Sequence, residues 1–229
     1  MKSVSARTEM VTKTPYVKIV TIESVDSTND YACALARSGA REITVVRAAM
    51  QTQGRGRRGR EWFSPKNKGI YASFVLKPTN PLKDMYYLPL ISSLAVVRLL
   101  RGMVPVGVKL PNDVVVEGKK ISGVLAEAKL TGKKVDFAVV GIGVNVNACI
   151  EELPPGATSL FLETGFTYPI DELFRGLLKE MIALYRIFKT GNIRVLLEEV
   201  FIYQKEATVK KMEEVFLKHK ETSEVLCLR

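Results

Sequence analysis

Apolar and polar positions along the chain follow two periods, and the switches between them mark the elements. Lys18–Ile22 reads as a strand, and Ser27 with Asp30 three residues on reads as the capped start of a short helix carrying Tyr31 and Leu35 and ended by Gly39. Ile43–Ala48 is a β-branched strand, the polar run Gln51–Arg60 a loop, and Gly69–Lys77 a further strand closed by Pro78 and Pro81. Pro89 can open a helix through Leu100, with Leu90, Leu94 and Val97 at helical spacing. Val106–Lys109, Val114–Glu117, Ile121–Ala128 and Val135–Val144 are separated by turn signals at Pro111-Asn112-Asp113, Glu117-Gly118 and Thr131-Gly132, which predicts adjacent antiparallel hairpins. After Pro154-Pro155-Gly156, Asp171–Lys189 shows Leu173, Leu177, Met181 and Tyr185 at helical spacing, with Asp171 as N-cap, and a helix over Arg194–Gln204 follows. Hairpins in the middle and helices toward the ends predict an α+β fold with a mixed, mostly antiparallel sheet flanked by helices, not a repeating βαβ array.

The 229 residues fit one domain plus a small appendage. Its division is read as a disordered extension over 1–15, a main domain over 16–192, and a short C-terminal helix with a diverged or truncated appendage over 193–229. At 47% hydrophobic and 25% charged residues, disorder and low complexity are disfavoured. The apolar stretches Ile70–Leu76 and Leu88–Leu100 are too short to span a bilayer, and Met1–Pro15 carries no apolar signal segment, so no membrane association and a cytoplasmic location are expected. Fifteen residues also cannot hold a helix-turn-helix unit, so no specific DNA binding is expected. A net charge of +10 favours a phosphate-bearing or polyanionic partner without choosing among nucleic acid, nucleotide and acidic protein. Cys33, Cys149 and Cys227 form no CxxC pair and are read as reduced thiols, and the single His219 lies in a charged tail, so triad chemistry has little to build on.

Three segments carry candidate chemistry. Gly54-Arg55-Gly56-Arg57-Arg58-Gly59-Arg60 contains G-x-G-x-x-G, but Pro65 follows too soon for the glycines to open a Rossmann helix. Glycine backbone and guanidinium groups together suit an anion-gripping loop; a solvated basic loop or nucleic-acid patch fits that run alone about as well. Lys109-Leu110-Pro111-Asn112-Asp113 and Lys119-Lys120-Ile121-Ser122-Gly123 face each other across a hairpin, where strict alternation turns Lys120 and Ser122 to one face and Lys119 to the other. Gly141-Ile142-Gly143-Val144-Asn145-Val146-Asn147 is an apolar strand ending in amides. By itself it is equally a core strand, although glycines admit a flat ring and Asn can read a base edge.

Taken in order, Ser27-Thr28-Asn29, the Gln51 to Trp62 arginine loop, Lys-x-Pro-Asn-Asp, Lys-x-x-Gly-Val-Leu-x-Glu and Gly-Ile-Gly-Val-Asn-Val-Asn resemble the biotin protein ligase family from about Ile22 to Ser159, including its Ala-Thr-Ser step at Ala157–Ser159. The resemblance implies a catalytic domain like that of class II aminoacyl-tRNA synthetases, without an N-terminal DNA-binding domain. It also implies an ATP-dependent ligase that makes biotinyl-5′-AMP from biotin and MgATP, with Mg2+ as its metal, and passes biotin to a lysine of a biotin carboxyl carrier protein. A homodimer joined through a sheet edge is implied too. Carried over by position, Ser27, Thr28, Asn29, Gln51, Gly54, Arg55, Lys120 and Gly123 would bind biotin. Arg55, Arg57, Arg58, Trp62, Asn112, Asp113, Lys120 and Asn145 would bind ATP or the adenylate. Lys120, Arg57 and Asp113 would be catalytic, Asp113 as proton acceptor; no metal ligand is assigned. Leu110 stands where the family commonly has Trp, and Phe201–Arg229 lacks the glycine-punctuated strands of the family's C-terminal barrel, which bears on carrier docking. A lipoate-type adenylate ligase and a non-enzymatic nucleic-acid-binding protein are the alternatives; the second leaves the Lys-Gly hairpin and the Asn strand unexplained.

Overall fold

The computed structural model describes residues 6–11 and 17–204. Its strands are β1 (Ala6–Val11), β2 (Val17–Val25), β3 (Thr44–Gln51), β4 (Gly69–Leu76), β5 (Val106–Lys109), β6 (Asp113–Val116), β7 (Lys119–Thr131) and β8 (Lys134–Asn145). They form one sheet in the order β1-β2-β3-β4-β8-β7-β6-β5. Only β2 and β3 pair in parallel; every other neighbouring pair is antiparallel. The parallel pair requires a crossover, supplied by α1 (Thr28–Arg37). Ser27 caps it as expected, its hydroxyl accepting from the Asp30 N–H, and Gly39 follows in left-handed backbone.

Alternation within the strands divides the apolar residues between two layers. On one face α2 (Leu88–Leu100), α4 (Ile170–Lys189) and α5 (Ile193–Ile202) cover the main core, which includes Val45, Phe74, Ile121, Val124, Val140 and Ile142. On the other, Ala32 and Ala36 of α1 cover a smaller cluster with Val20, Ile22, Val46, Val75 and Val139. This second helix layer is short, and the sheet surface beyond the N-terminus of α1 is left for the candidate site.

Four expectations are corrected. Ala6–Val11, read as part of a disordered extension, is an edge strand paired with β2; backbone pairing needs no apolar run to announce it. Asp171 is not the cap of α4, which starts after Pro169; its carboxylate pairs instead with Arg47 of β3, whose guanidinium lies 4.6 Å from the Phe174 ring. The expected C-terminal helix forms as α5, but residues 193–204 are not separate from the preceding domain: Leu196 and Val200 enter the main core, Glu199 pairs with Arg98, and the Val108 N–H donates to the Tyr203 carbonyl. The remainder of the expected appendage, with His219 and Cys227, lies outside the described residues. A short helix, α3 (Leu160–Thr164), capped by Ser159 and ended by Gly165, adds an element that the apolar pattern does not signal.

The fourth correction concerns β7. Val114 faces Ser122 while Val115 faces Lys120, so Ile121 is an extra residue in the ladder, a β-bulge. The bulge resets the alternation. Ser122, opposite Val144, turns toward the main core with Ile121, and Lys120 shares its face with Gly123. Ser122 is fully buried, and its hydroxyl has no hydrogen-bond partner among the described residues. A buried hydroxyl without a partner opposes folding, so Ser122→Ala is expected to stabilise the protein by about 1 kcal/mol. Denaturant unfolding checks this, and a lower midpoint for the variant would contradict it.

Candidate active site

The expected anion loop is a compact hairpin. The Trp62 N–H donates to the Gly54 carbonyl, Arg55 bridges to Glu61, and the Gly56 N–H donates to the Arg60 carbonyl. A single helical turn at Arg57–Gly59 forms the tip, with Arg58 and Gly59 both at positive φ. No helix opens on its glycines, which excludes the dinucleotide-binding turn. One consequence is that the arginines point in different directions.

A chain of hydrogen bonds seats this hairpin on the parallel strand pair. The Gln51 side-chain carbonyl accepts from the Thr28 N–H at 2.8 Å and from its hydroxyl at 3.0 Å, and the Gln51 amide donates to Ser64 Oγ at 2.8 Å. Ser73 Oγ lies 2.8 Å from Thr28 Oγ1 and 2.6 Å from Asn29 Oδ1, so Thr28 and Asn29 are fixed from β4 as well. Ser64 and Ser73 were not singled out from sequence, where isolated serines carry no signal. Gln51, Thr28 and Asn29 are thus pre-positioned, Asn29 with its amide already committed to Glu127 and the Leu125 carbonyl.

These groups surround a cavity of about 350 Å3 on the α1 face of the sheet. Ser27, Thr28, Asn29, Gln51, Arg55, Arg57, Trp62, Asn112, Lys120, Gly123 and Asn145 all line it. Gly54, Arg58 and Asp113 do not. Arg58 is exposed on the outer side of the loop tip, where left-handed backbone carries it away from the cavity, and Gly54 lies beneath the loop. Asp113 stands behind Lys120, its carboxylate 2.7 Å from the ammonium. Missed from sequence were Arg60, Tyr71 and the Leu153–Pro155 wall.

Arg57 and Lys120 bring positive charge to the cavity. Arg57 Nη1 donates to Asn112 Oδ1 at 3.1 Å, and no carboxylate among the described residues pairs with it. Burial, and then the neighbouring Arg58 and Arg60, lower its pKa against the opposing pull of Asp113. Such a cation is stabilised by an arriving anion. Lys120 is held by its backbone: its N–H donates to the Gly156 carbonyl and its carbonyl accepts from the Thr158 N–H, the pairing that accompanies the bulge. Asn112 Nδ2 donates to the Val124 carbonyl and Asn145 Nδ2 to the Thr158 carbonyl, so both amides also brace backbone.

Gly123 and Gly143 face each other in the ladder and form a flat floor. Trp62 lies on it, its ring centroid 5.3 Å from the Lys120 ammonium. A Cβ at Gly143 would come 2.3 Å from the indole, closer than any contact allows. Gly143→Ala is therefore expected to unseat Trp62. As this is the chain's one tryptophan, its fluorescence should shift to the red; unchanged emission would contradict the seating.

Among the described residues there is no group of three or more His, Cys, Asp or Glu able to cage a metal, and no helix long and apolar enough to cross a membrane. Cys33 and Cys149 are free thiols, that of Cys33 pushed up to about 11, mainly by burial.

Comparison with known proteins gives consistent results. The profile of the biotin/lipoate A/B protein ligase family matches residues 21–145. The bifunctional ligase/repressor BirA of Bacillus spizizenii is 37% identical over 147 residues, which cover 62% of this chain and 45% of that protein. The biotin--[acetyl-CoA-carboxylase] ligase of Mycobacterium tuberculosis is 35% identical over 179 residues, 75% of this chain and 65% of that protein. The chain thus spans less than two thirds of either relative. Among solved structures, the biotin protein ligase from Aquifex aeolicus in complex with biotin and ATP superposes with a TM-score of 0.63 at 35% identity, over 75% of this chain and 72% of that one. The Leishmania major enzyme in complex with biotinyl-5-AMP gives 0.64 at 25% identity, over 82% of each chain.

Proposed function

Because the chain belongs to the biotin/lipoate A/B protein ligase family, we propose that it is a biotin protein ligase, joining biotin to ATP and then to a carrier lysine. The observation that carries this reading is the convergence of an uncompensated Arg57 and of Lys120 on one cavity floored by Gly123 and Gly143. Two anionic reactants must meet there, and their repulsion is the first obstacle to reaction.

In the first step the biotin carboxylate attacks the α-phosphorus of ATP and pyrophosphate leaves. Thr28 and Gln51 line the end of the cavity assigned to biotin. Arg57 holds phosphoryl oxygens, and Lys120, positioned by Asp113, meets the charge that builds at the carboxylate–phosphorus junction. Trp62 and Asn145 border the nucleotide side. Asn112 serves by orienting Arg57, since both ends of its amide are already engaged. In the second step a neutral lysine amine of a biotin carboxyl carrier protein attacks the mixed anhydride, forming the amide and releasing AMP; Asp113 is the group nearest Lys120 able to take the proton. Mg2+ would arrive with the triphosphate: the described residues form no metal cage, and phosphate-borne Mg2+ needs only one or two carboxylates, such as Asp113. A cytoplasmic setting and a homodimer complete the reading.

Biotin-dependent exchange of pyrophosphate into ATP tests the first step, with lipoate as control, and labelling of an apo carrier domain tests the second. Exchange and labelling with biotin support the ligase. Exchange with lipoate alone would assign the other branch of the family, and exchange with neither acid would overturn the reading.

A further inference from the structure

Arg55 was expected to grip phosphate or carboxylate, yet it is already occupied. Its Nη2 donates to Asp30 Oδ1 at 2.5 Å and to the two Glu127 oxygens at 3.3 and 3.1 Å. Glu127 Oε2 also accepts from Asn29 Nδ2 at 2.8 Å, and Asn29 Oδ1 accepts from Ser73. Asn29 reaches this position because β8 carries Gly141 beneath it, where a Cβ would lie 2.2 Å from Asn29 Oδ1. The Glu127 side chain is only 25% exposed, against 42% for Arg55 and 60% for Asp30, so Glu127 is the anchored member of the group. One unbroken path runs from β8 and β4 through Asn29 and Glu127 to the first limb of the glycine–arginine loop. Arg57, two residues on, has no such partner and faces the cavity.

We propose that Glu127 is a positioning residue for this loop: by pairing with Arg55 it pins the first limb to α1 and β7, so that Arg57 is presented to the anionic ligand. The four arginines then divide into a pin at Arg55, a ligand at Arg57, a further cation on the cavity lining at Arg60 and an outer charge at Arg58. Charge supports the division: Arg55 Nη2 already serves the carboxylates of Asp30 and Glu127, which offset the attraction of this guanidinium for a further anion, whereas no carboxylate among the described residues pairs with Arg57. The inference rests on the reading of the cavity as an adenylate site, but its first test needs no substrate.

The test uses the full chain without ligands, treated with trypsin well below its melting temperature, cleavage after Arg57, Arg58 and Arg60 being followed by mass. Glu127→Gln is expected to speed cleavage in this loop by roughly tenfold, Arg55→Gln by at least as much because it also loses Asp30, and the double variant no more than Arg55→Gln, because the Glu127 pairing is already gone in that single variant. Escape of preformed biotinyl-adenylate should rise in parallel. Arg55→Gln suppressing pyrophosphate exchange while Glu127→Gln leaves exchange and loop cleavage unchanged would make Arg55 a direct ligand and overturn the proposal. Cleavage spread evenly along the chain with a lowered melting temperature would reduce Glu127 to a packing role, and overturn it equally. If Glu127→Gln does not fold, Asp30→Asn, at the exposed end of the same pair, takes its place with the same expected loop cleavage. Wild-type exchange separately decides the ligase reading.

Discussion

Lys120→Ala is expected to lower biotin-dependent pyrophosphate exchange by a factor on the order of 10^3 while the protein still folds, the upper range for removing one preorganised charge from a developing oxyanion. The folding half of this expectation follows from how Lys120 is held. Its N–H and carbonyl pair with Gly156 and Thr158, contacts that alanine keeps, and Ile121 beside it still fills the core. What is lost is the ammonium between Asp113 and the Trp62 ring. Asp113, behind Lys120, is then left without its counter-charge, and its negative field opposes the approach of two anions, which adds to the loss. The result that would remove Lys120 from the mechanism is near-normal pyrophosphate release by a folded variant.

The second large effect concerns retention of the intermediate. Arg57→Gly should let the adenylate escape to bulk about a hundredfold faster, the cost of a charge-assisted contact within a partly closed site. Stability should change little. A partly buried guanidinium without a carboxylate partner is removed, which helps, while Asn112 Oδ1 loses its donor, which costs about 1 kcal/mol. Dissociation of labelled adenylate from the variant measures the effect directly; a wild-type rate would show that another group retains the intermediate.

Much of this architecture was legible in the sequence because it is written in short-range signals. The hairpins from β5 to β8 follow from turn residues and alternation, and α1 from Ser27 and Gly39. Trp62, Asn112 and Asn145 enter as candidates through the ordered motifs that resemble the biotin protein ligase family, since a local pattern alone leaves each of them an ordinary turn or core residue. The corrections share a different cause. The bulge at Ile121 breaks the alternation that placed Lys120 and Ser122 together, and it goes with a backbone pairing to residues 156–158 that no local pattern encodes. The ion pairs of Arg55 are invisible in the sequence because its partners, Asp30 and Glu127, lie on separate elements. Asp171, a plausible cap on sequence grounds, is drawn away by Arg47. Charged side chains choose among distant partners, and sequence proximity does not rank them.

The place of β4 in the sheet has a consequence during synthesis. All eight of its residues are buried, and Gly-Ile-Tyr-Ala-Ser-Phe-Val-Leu carries neither charge nor proline. One side pairs with β3, made earlier, but the other pairs with β8, the last strand of the sheet to leave the ribosome. Until then a nascent chain presents an uncharged, apolar edge with open backbone groups, the pattern that nucleates aggregation. Fragments that stop before Lys134 should therefore accumulate as insoluble material or stay bound to chaperones, even though they already contain Thr28, Gln51 and the whole arginine loop.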